Sequence, residues 1–405
     1  MKGPEPARVL AYSFDGMGLG HLRRNLTLLS ALTERVPGTA VLTVTGSGAM
    51  DRFQLPEGVE VLRLPGLVKT TLGTTRPGRL PLPTTEVRKL RADLLTAAVR
   101  SFRPDLVLVD FYPLGRDGEL ADALAAVREV HPHVQLVLGL RDILDAPDTV
   151  RREWQDSGQF TAAAELYDRV LIYGDPAVYD ATVEYAFPSS LAAKTAFTGY
   201  LATARAAPAE PGPLPSEADI VCTMGGGSDA ADLARTFVRA VRPLLADGHR
   251  ALLLTGPFMP AADVALLMAE APEGLEVRNF VPDAPAYFAR SSCVVTMAGY
   301  NTTCELLSAG VPTVFVPRSR PRLEQRIRAT RIAALTGWHV LMPEDLNAEA
   351  LQALISVALA QPRTVTTPIA REGANVAAAI MAELLISGTE RAVNTVAFHT
   401  EQVAL

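Results

Sequence analysis

The segment Ser13–Arg24, SFDGMGLGHLRR, places three glycines and a histidine directly after the apolar stretch VLAY. Glycines at positions 16, 18 and 20 allow a backbone to approach a ligand closely. A dinucleotide-binding loop would need a third glycine at position 21 or 23, where His21 and Arg23 stand, and a Walker-type loop would end in Gly-Lys-Ser/Thr. The sequence therefore predicts a ligand loop of neither kind, with a histidine where a helix begins.

Four side chains are candidates for a general base: His21, Asp15, Asp110 and Asp142. A histidine titrates nearest neutral pH, and His21 follows the first predicted strand. Asp110 ends a later predicted strand and could orient the imidazole, whereas Asp142 stands beside Arg141 and could simply form an ion pair. We expect His21 to be the base, assisted by Asp110 or Asp142. The alternative is that His21 bonds backbone at the start of its helix.

A second glycine loop, GGGSD at positions 225–229, again follows a predicted strand and precedes a helix. Its glycines could bring backbone N–H groups close to an anion, and Ser228 or Asp229 could cap the helix. A tight turn with a cap explains the same residues equally well. The loop alone therefore leaves both interpretations open.

A helix start at Asn301 and Thr302 follows the turn residue Gly299. Free N–H groups and the positive end of a helix dipole suit a diphosphate. Glu305, one turn further on, could accept hydrogen bonds from two vicinal ribose hydroxyls. The alternative is structural, because Thr302-x-x-Glu305 also has the spacing of a capping box.

The bulk composition restricts the class of protein. The 405 residues carry a formal charge of −6, which argues against a protein that binds nucleic acid through its phosphates. The three cysteines lie far apart in or beside apolar runs, as expected of buried thiols in a reducing compartment. The sequence shows neither a secretory signal nor a run of about 18 apolar residues, so a cytoplasmic location is expected.

Short apolar runs alternate with longer amphipathic stretches, which is typical of βα units and a parallel sheet. We expect an α/β fold of two doubly wound domains facing across a cleft, where such sheets bind ligands. The Pro-rich segment Ala206–Pro215 is the natural linker. The predicted parts are an acceptor-binding domain at 1–205, a linker at 206–217, a donor-binding domain at 218–368, and a C-terminal helix and tail at 369–405 that packs back on the first domain.

The individual elements follow from the same pattern. Strands are predicted at Val9–Ser13, Ala40–Thr45, Val59–Leu64, Leu106–Asp110, Gln135–Leu140, Arg169–Tyr173, Ile220–Met224, Ala251–Thr255, Leu275–Asn279, Cys293–Met297, Thr313–Pro317 and His339–Met342. Helices are predicted at Leu22–Val36, Glu86–Phe102, Leu120–His131 and Ala370–Leu385, with a frayed tail after the last. Thr70–Pro83, rich in Thr, Gly and Pro, is expected to be a mobile loop.

Four segments of the second half resemble the donor domain of glycosyltransferase family 28, the MurG-type glycosyltransferases: GGGSD at 225–229, NFVPD at 279–283, AGYNTTCELLSAGVPTVFVP at 298–317 and LEQRIRA at 323–329. The opening GMGLGHLRR resembles the N-terminal glycine loop of that family, with His21 at its histidine. The resemblance is closest to bacterial predicted glycosyltransferases that share GLGHLRR, LRDI, YGDP and AGYNT. It implies the GT-B fold, in which two Rossmann-like domains face each other.

The resemblance also implies roles for particular residues. Glu305 would bind the donor ribose, Phe280 and Val281 would lie against the base, and Glu324 and Gln325 would hold sugar hydroxyls in a division that the motif leaves open. Asp15, Met17 and Arg141 would contact the acceptor. The remaining implied donor contacts are Gly18, Gly20, Gly225, Gly226, Gly227, Ser228, Gly299, Asn301, Thr302 and Thr303. Where MurG-like enzymes have His-Glu-x-x-Asn, this chain has Leu140-Arg141-Asp142-Ile143-Leu144, so we expect an acceptor other than lipid I.

The implied activity is inverting transfer of a sugar from a nucleotide-sugar donor to a hydroxyl of a small-molecule acceptor, in natural-product or cell-envelope biosynthesis. A UDP-linked donor such as UDP-GlcNAc is implied, with dTDP as the open alternative. No Asp-x-Asp motif occurs, so we expect neither a metal nor a cofactor. The alternatives are a nucleotide-sugar epimerase or hydrolase on the same fold, and a non-catalytic binding protein. We expect no nucleic-acid partner and at most peripheral membrane contact; the oligomeric state is left open.

Overall fold

The structure, a computed structural model, describes residues 5–14, 20–48, 50, 53–69, 75–202, 218–281, 283–363 and 368–402. The predicted linker at 206–217 lies outside these residues, and so do Asp15, Met17 and Gly18 of the first glycine loop. None of the described helices combines the length and the apolar character needed to cross a bilayer.

The first half of the chain forms a parallel seven-stranded sheet flanked by helices. Its strands are β1 Arg8–Tyr12, β2 Ala40–Thr45, β3 Val59–Arg63, β6 Leu106–Asp110, β7 Gln135–Arg141, β8 Arg169–Tyr173 and β9 Thr195–Phe197, in the order β3-β2-β1-β6-β7-β8-β9. The helices are α1 Gly20–Arg35, α2 Thr84–Phe102, α3 Ala121–Val130, α4 Pro147–Asp156, α5 Gln159–Leu166, α6 Ala181–Glu184 and α7 Ser189–Ala192. All five residues of β6 are buried, as expected of a parallel strand covered on both faces.

The second half repeats this plan with a six-stranded parallel sheet. Its strands are β10 Ile220–Thr223, β11 Ala251–Leu254, β12 Leu275–Arg278, β13 Cys293–Thr296, β14 Thr313–Phe315 and β15 His339–Val340, in the order β12-β11-β10-β13-β14-β15. The helices are α8 Ala231–Ala240, α9 Arg242–Ala246, α10 Ala261–Glu270, α11 Ala284–Phe288, α12 Tyr300–Ala309, α13 Glu324–Thr336 and α14 Ala348–Leu359. The predicted α/β class and each predicted strand are confirmed, with small differences at the strand ends.

Two sequence predictions were wrong. Part of the expected loop Thr70–Pro83 is a strand, because β5 Thr75–Pro77 pairs antiparallel with β4 Leu67–Lys69; three-residue strands are too short to show an alternating pattern. The C-terminal helix was expected to end at Leu385, but α15 spans Gly373–Gln402. This helix packs against α1, β6 and β7, which belong to the first sheet.

The carboxyl ends of both sheets and the starts of α1 and α12 meet between the two halves. Tyr300, the first residue of α12, donates its hydroxyl hydrogen bond to the carbonyl of Tyr173 at the end of β8, at 2.7 Å. Asn301 donates from Nδ2 to the carbonyl of Gly20, the first residue of α1, at 3.1 Å. The two parallel sheets therefore form one cleft, where open α/β sheets place their ligands.

Candidate active site

His21 and Asp110 form a hydrogen-bonded pair at the cleft edge of the first sheet. His21 is the second residue of α1, Asp110 is the last residue of β6, and His21 Nδ1 lies 2.6 Å from Asp110 Oδ2. Arg24, one turn along α1, donates to the other carboxylate oxygen. Burial would raise the pKa of Asp110, but the charge of Arg24 and the contact with His21 outweigh it and lower the pKa to about 2.

The ionised Asp110 fixes the tautomer of His21. A carboxylate only accepts hydrogen bonds, so Nδ1 carries the hydrogen and Nε2 is left with a free lone pair. Burial, the largest influence, lowers the pKa of His21 below 6.5 even though Asp110 acts to raise it. The Arg24 guanidinium lies 2.9 Å from Nδ1, and its charge also opposes protonation. His21 is therefore neutral at pH 7 and competent to accept a proton at Nε2.

Aromatic rings surround this imidazole. The rings of Phe14 and Phe111 have their centroids 5.3 Å and 5.5 Å from that of His21. Tyr112 packs against both phenylalanines. Arg141, at the end of β7, places its guanidinium 5.8 Å from the Phe111 ring centroid. An acceptor whose hydroxyl reaches His21 Nε2 would thus meet an aromatic wall and a cation.

Asp142, a predicted catalytic residue, lies in a buried ion pair at the junction of the two halves. Both its carboxylate oxygens are taken by Arg328 of α13, at 2.7 Å from Nε and 2.6 Å from Nη2. The Tyr200 hydroxyl adds a third hydrogen bond at 2.9 Å. With 1% of its side chain exposed, Asp142 has no free oxygen to take a proton, and it joins the two halves of the molecule instead.

Glu305 lies in the second turn of α12 and faces the cleft. The capping-box alternative is wrong, because α12 begins at Tyr300 after the cap residue Gly299 and leaves Thr302 inside the first turn. Glu305 Oε1 instead forms an ion pair with Arg23 Nη2 of α1, at 2.6 Å. Burial raises the pKa of Glu305, and the charge of Arg23 counteracts part of that rise.

A pocket between the two halves contains this ion pair. It is lined by Arg23, Arg24, Thr27, Leu201, Asn301 and Glu305. The predicted donor contacts Gly20, Gly299, Asn301, Thr302 and Thr303 belong to the starts of α1 and α12 at this place. The Thr303 hydroxyl is buried and has no hydrogen-bond partner among the described residues.

The second glycine loop is packed backbone against backbone. Gly225 and Gly227 have φ angles of +58° and +88°, and a Cβ on Gly227 would overlap the carbonyl oxygen of Thr255. The Gly227 N–H donates to the Met224 carbonyl at 3.1 Å, so it is already used within the loop. The Gly225 N–H donates to Thr223 Oγ1 at 3.5 Å. Of the predicted contacts in this loop, Gly226 and Ser228 are therefore the two positions on which a contact with a diphosphate would depend.

The predicted base-binding residues differ in their exposure. Phe280 is 56% exposed, whereas Val281 is 5% exposed and its side chain belongs to the core. Only Phe280 can offer a side chain to a base, with Val281 limited to backbone contacts. Phe258, which the sequence analysis did not single out, is 42% exposed beside the second glycine loop and donates its N–H to the Gly226 carbonyl at 2.9 Å. In the sequence it stands out only as an apolar residue directly after Gly256-Pro257.

Glu324 and Gln325 begin α13 and are both buried. Arg318 donates from its backbone N–H to Gln325 Oε1 at 3.2 Å and from Nη2 to Glu324 Oε1 at 3.1 Å. Glu324 Oε2 is buried without a partner among the described residues. Burial would raise the pKa of Glu324, but the charges of Arg141 and Arg318 lower it, so the carboxylate is ionised and one oxygen is available to a ligand.

Arg141 completes the cleft from the side of the first sheet. Its Nη2 donates to the Leu144 carbonyl at 3.1 Å. Burial and the nearby charges of Arg328 and Arg24 lower its pKa to about 10, although Glu324 acts in the opposite direction. Across the described ranges, no group of three or more His, Cys, Asp and Glu side chains is arranged to hold a metal ion.

Part of the chain matches a known protein family and its members. The profile of the glycosyltransferase family 28 C-terminal domain matches residues 220–384. A curated relative from Frankia casuarinae, UDP-N-acetylglucosamine--N-acetylmuramyl-(pentapeptide) pyrophosphoryl-undecaprenol N-acetylglucosamine transferase, is 31% identical over 137 residues. That match covers 33% of this chain and 36% of the relative, so the chain spans little more than a third of the relative's length.

Solved structures extend the likeness to nearly the whole chain. The calicheamicin glycosyltransferase CalG4 is 17% identical with a TM-score of 0.56, covering 99% of this chain and 100% of that one. MurG of Acinetobacter baumannii is 15% identical with a TM-score of 0.53, covering 92% and 95%. At these identities the likeness shows the fold alone. The resemblance to MurG-type proteins is confirmed, and the fold is GT-B.

Proposed function

We propose that this protein is an inverting glycosyltransferase that moves a sugar from a UDP-sugar to a hydroxyl of a small-molecule acceptor. The observation that carries the proposal is the meeting of two sets of residues across one cleft. The first half supplies a neutral histidine held by a carboxylate, His21 and Asp110. The second half supplies the buried carboxylate Glu305 beside the start of α12.

The donor would lie along the second sheet. Glu305 would accept from the ribose hydroxyls, and the N–H groups of Asn301 and Thr302 would face the diphosphate, as suits the positive end of a helix. Thr303 would contribute its buried hydroxyl, because its N–H already donates to the Gly299 carbonyl. Phe280 would cover the base. Glu324 would hold sugar hydroxyls through its free Oε2, and Gln325 would do so through its amide NH₂ because its carbonyl oxygen is occupied.

The reaction would be a direct displacement at the anomeric carbon. His21 Nε2 takes the proton of the acceptor hydroxyl, the acceptor oxygen bonds to the anomeric carbon, and the bond from that carbon to the diphosphate oxygen breaks. Asp110 stabilises the imidazolium that forms, and the start of α12 with nearby arginines stabilises the departing diphosphate. With no Asp-x-Asp motif in the chain, we propose that this charge is met without a divalent metal.

The names of the curated relatives support UDP-N-acetylglucosamine as the first donor to test. An epimerase or hydrolase on the same fold is not favoured, because the matching family and the curated relatives are transferases. We propose an acceptor with an apolar face, which suits the rings of Phe14, Phe111 and Tyr112. A cytoplasmic location is proposed as well, since the three cysteines are free and buried.

The test is calorimetric titration with UDP, dTDP and GDP, each with and without magnesium. We expect magnesium-independent binding of UDP that is lost in Glu305→Ala and retained in Glu349→Ala, a substitution in the first turn of α14. UDP-GlcNAc and an acceptor panel then test the transfer. Failure of all three nucleotides to bind would refute the donor site, and a clear preference for dTDP would move the proposal to deoxysugar donors.

A further inference from the structure

The N-termini of two helices, α1 and α12, abut at the pocket between the two halves. Asn301 of α12 donates to the carbonyl of Gly20 at the start of α1, at 3.1 Å. Neither helix carries an acidic residue in its first turn. Two positive helix ends therefore converge without compensation from their own side chains. Arg23 and Arg24 line the same pocket and add positive charge.

Arg23 has an ion pair in this place that a donor would have to replace. Its Nη2 lies 2.6 Å from Glu305 Oε1, and 42% of the Arg23 side chain is exposed against 8% for Glu305. A carboxylate that binds two vicinal hydroxyls uses both oxygens. Because Oε1 is already paired with Arg23, a ribose that uses both oxygens of Glu305 has to compete with the guanidinium for Oε1. Arg23 is the more exposed partner, so moving its side chain away from the ion pair disturbs less packing than moving the buried Glu305 would.

Arg24 cannot take over the role of Arg23. Its guanidinium is buried, donates to Asp110 and lies beside the ring of His21. Arg23 is thus the more exposed arginine of this pocket, and its ion pair is with Glu305 rather than with Asp110. If Arg23 leaves Glu305, its guanidinium stays next to the starts of α1 and α12, where a diphosphate would bind. A guanidinium can donate two parallel hydrogen bonds to phosphate oxygens.

We propose that Arg23 is a donor-responsive residue, which neutralises Glu305 in the empty protein and transfers to the donor diphosphate when the ribose takes Glu305. The inference rests on the proposed donor site and adds a phosphate contact from the first half of the chain. If the inference holds, replacing Arg23 should raise the affinity for a nucleoside and lower the affinity for a nucleoside diphosphate. A nucleoside must break the ion pair and gains nothing from the released arginine, whereas a nucleoside diphosphate gains a charged contact.

The experiment compares uridine and UDP as ligands of the wild-type protein and of Arg23→Met by calorimetry. We expect Arg23→Met to bind uridine about two- to fivefold more tightly, since a half-exposed ion pair no longer competes. We expect the same variant to bind UDP about tenfold or more weakly, since a charged hydrogen bond to phosphate is lost. Arg35→Met, which removes a cation from the exposed end of α1, is the matched control and leaves both affinities unchanged.

The possible outcomes separate the inference from the proposed function. If Arg23→Met changes the uridine and UDP affinities by the same factor, the transfer of Arg23 to the diphosphate is overturned while the donor site stands. If the wild-type protein binds UDP and Glu305→Ala does not weaken it, the ribose assignment fails and the inference fails with it. If the wild-type protein binds no UDP, both are overturned.

Discussion

Breaking the ion pair between Asp142 and Arg328 is expected to destabilise the junction of the two halves strongly. Both side chains are about 1% exposed, and the guanidinium makes two hydrogen bonds to the carboxylate at 2.6 and 2.7 Å. Arg328 also donates from Nη1 to the carbonyl of Ala298 at 3.0 Å. Ala298 has a φ angle of +61°. This backbone conformation is energetically unfavourable for any residue other than glycine. Arg328→Met therefore leaves a buried carboxylate without its counter-charge and a strained turn without its donor.

The size of the effect follows from the burial of the pair. Removing one partner of a buried ion pair costs about 3–5 kcal/mol, because the other charge stays uncompensated. At about 2–4 °C per kcal/mol for domains of this size, Arg328→Met lowers Tm by about 6–20 °C. Arg331→Met is the matched control: it lies on the same helix and breaks a 3.0 Å pair with Glu184 across the same junction, but those side chains are 53% and 33% exposed. Its cost is about 0–1 kcal/mol.

Scanning calorimetry of the two variants, together with Asp142→Asn and the double variant Asp142→Asn/Arg328→Met, measures these differences. The double variant removes both charges and is expected to recover most of the stability lost in Arg328→Met. A Tm for Arg328→Met within the range of the Arg331→Met control would refute the reasoning. A second result would also refute it: Asp142→Asn keeps the wild-type Tm but loses turnover well below that temperature. That combination is expected of a catalytic carboxylate.

Further predictions concern the base, the sugar contact and the glycine loop. His21→Ala should lower kcat about 10²–10⁴-fold with UDP affinity unchanged, measured by product formation and calorimetry; normal turnover would exclude His21 as base. Because the neutral form of His21 is active and its pKa lies below 6.5, kcat/KM should fall only as the pH drops below that value. Asp110→Asn removes the group that raises this pKa, so its acid limb should move to still lower pH while kcat also falls. Glu324→Gln should raise the KM for the UDP-sugar and leave the Kd of UDP unchanged; a weaker Kd would place Glu324 at the nucleotide instead. Gly227→Ala should lower Tm more than Gly248→Ala, since both have φ near +90° but only Gly227 faces a carbonyl oxygen; equal losses would show that backbone conformation alone matters.

The regular elements of the fold were readable from the sequence because buried parallel strands are nearly continuous apolar runs. Ala40–Thr45, Leu106–Asp110 and Arg169–Tyr173 were predicted with the bounds that the structure shows. The short pairing of Leu67–Lys69 with Thr75–Pro77 was missed because Gly and Pro around it gave the signal of a loop. Local pattern thus predicts elements whose own residues fill the core.

The partners of the site residues were not readable, since they come from distant parts of the chain. The sequence offered the neighbouring Arg141 as an ion-pair partner of Asp142, but the partner in the structure is Arg328, 186 residues away. Arg24, the residue that fixes the ionisation of Asp110, is 86 residues from it. For Glu305, spacing alone allowed a capping box and a ribose contact; only the start of the helix at Tyr300 separates the two.

Neighbouring residues in the first turns of α1 contact different halves of the chain. His21 and Arg24 point to Asp110, so the tautomer and pKa of the base are set within the first half of the chain. Arg23, between them in sequence, pairs with Glu305 of the second half. Adjacent residues of a helix face different directions, so the proposed displacement of Arg23 would leave the buried contacts of Arg24 in place. The contacts of His21 are thus formed within the first half of the chain, whereas the pocket around Arg23 and Glu305 is lined by residues of both halves.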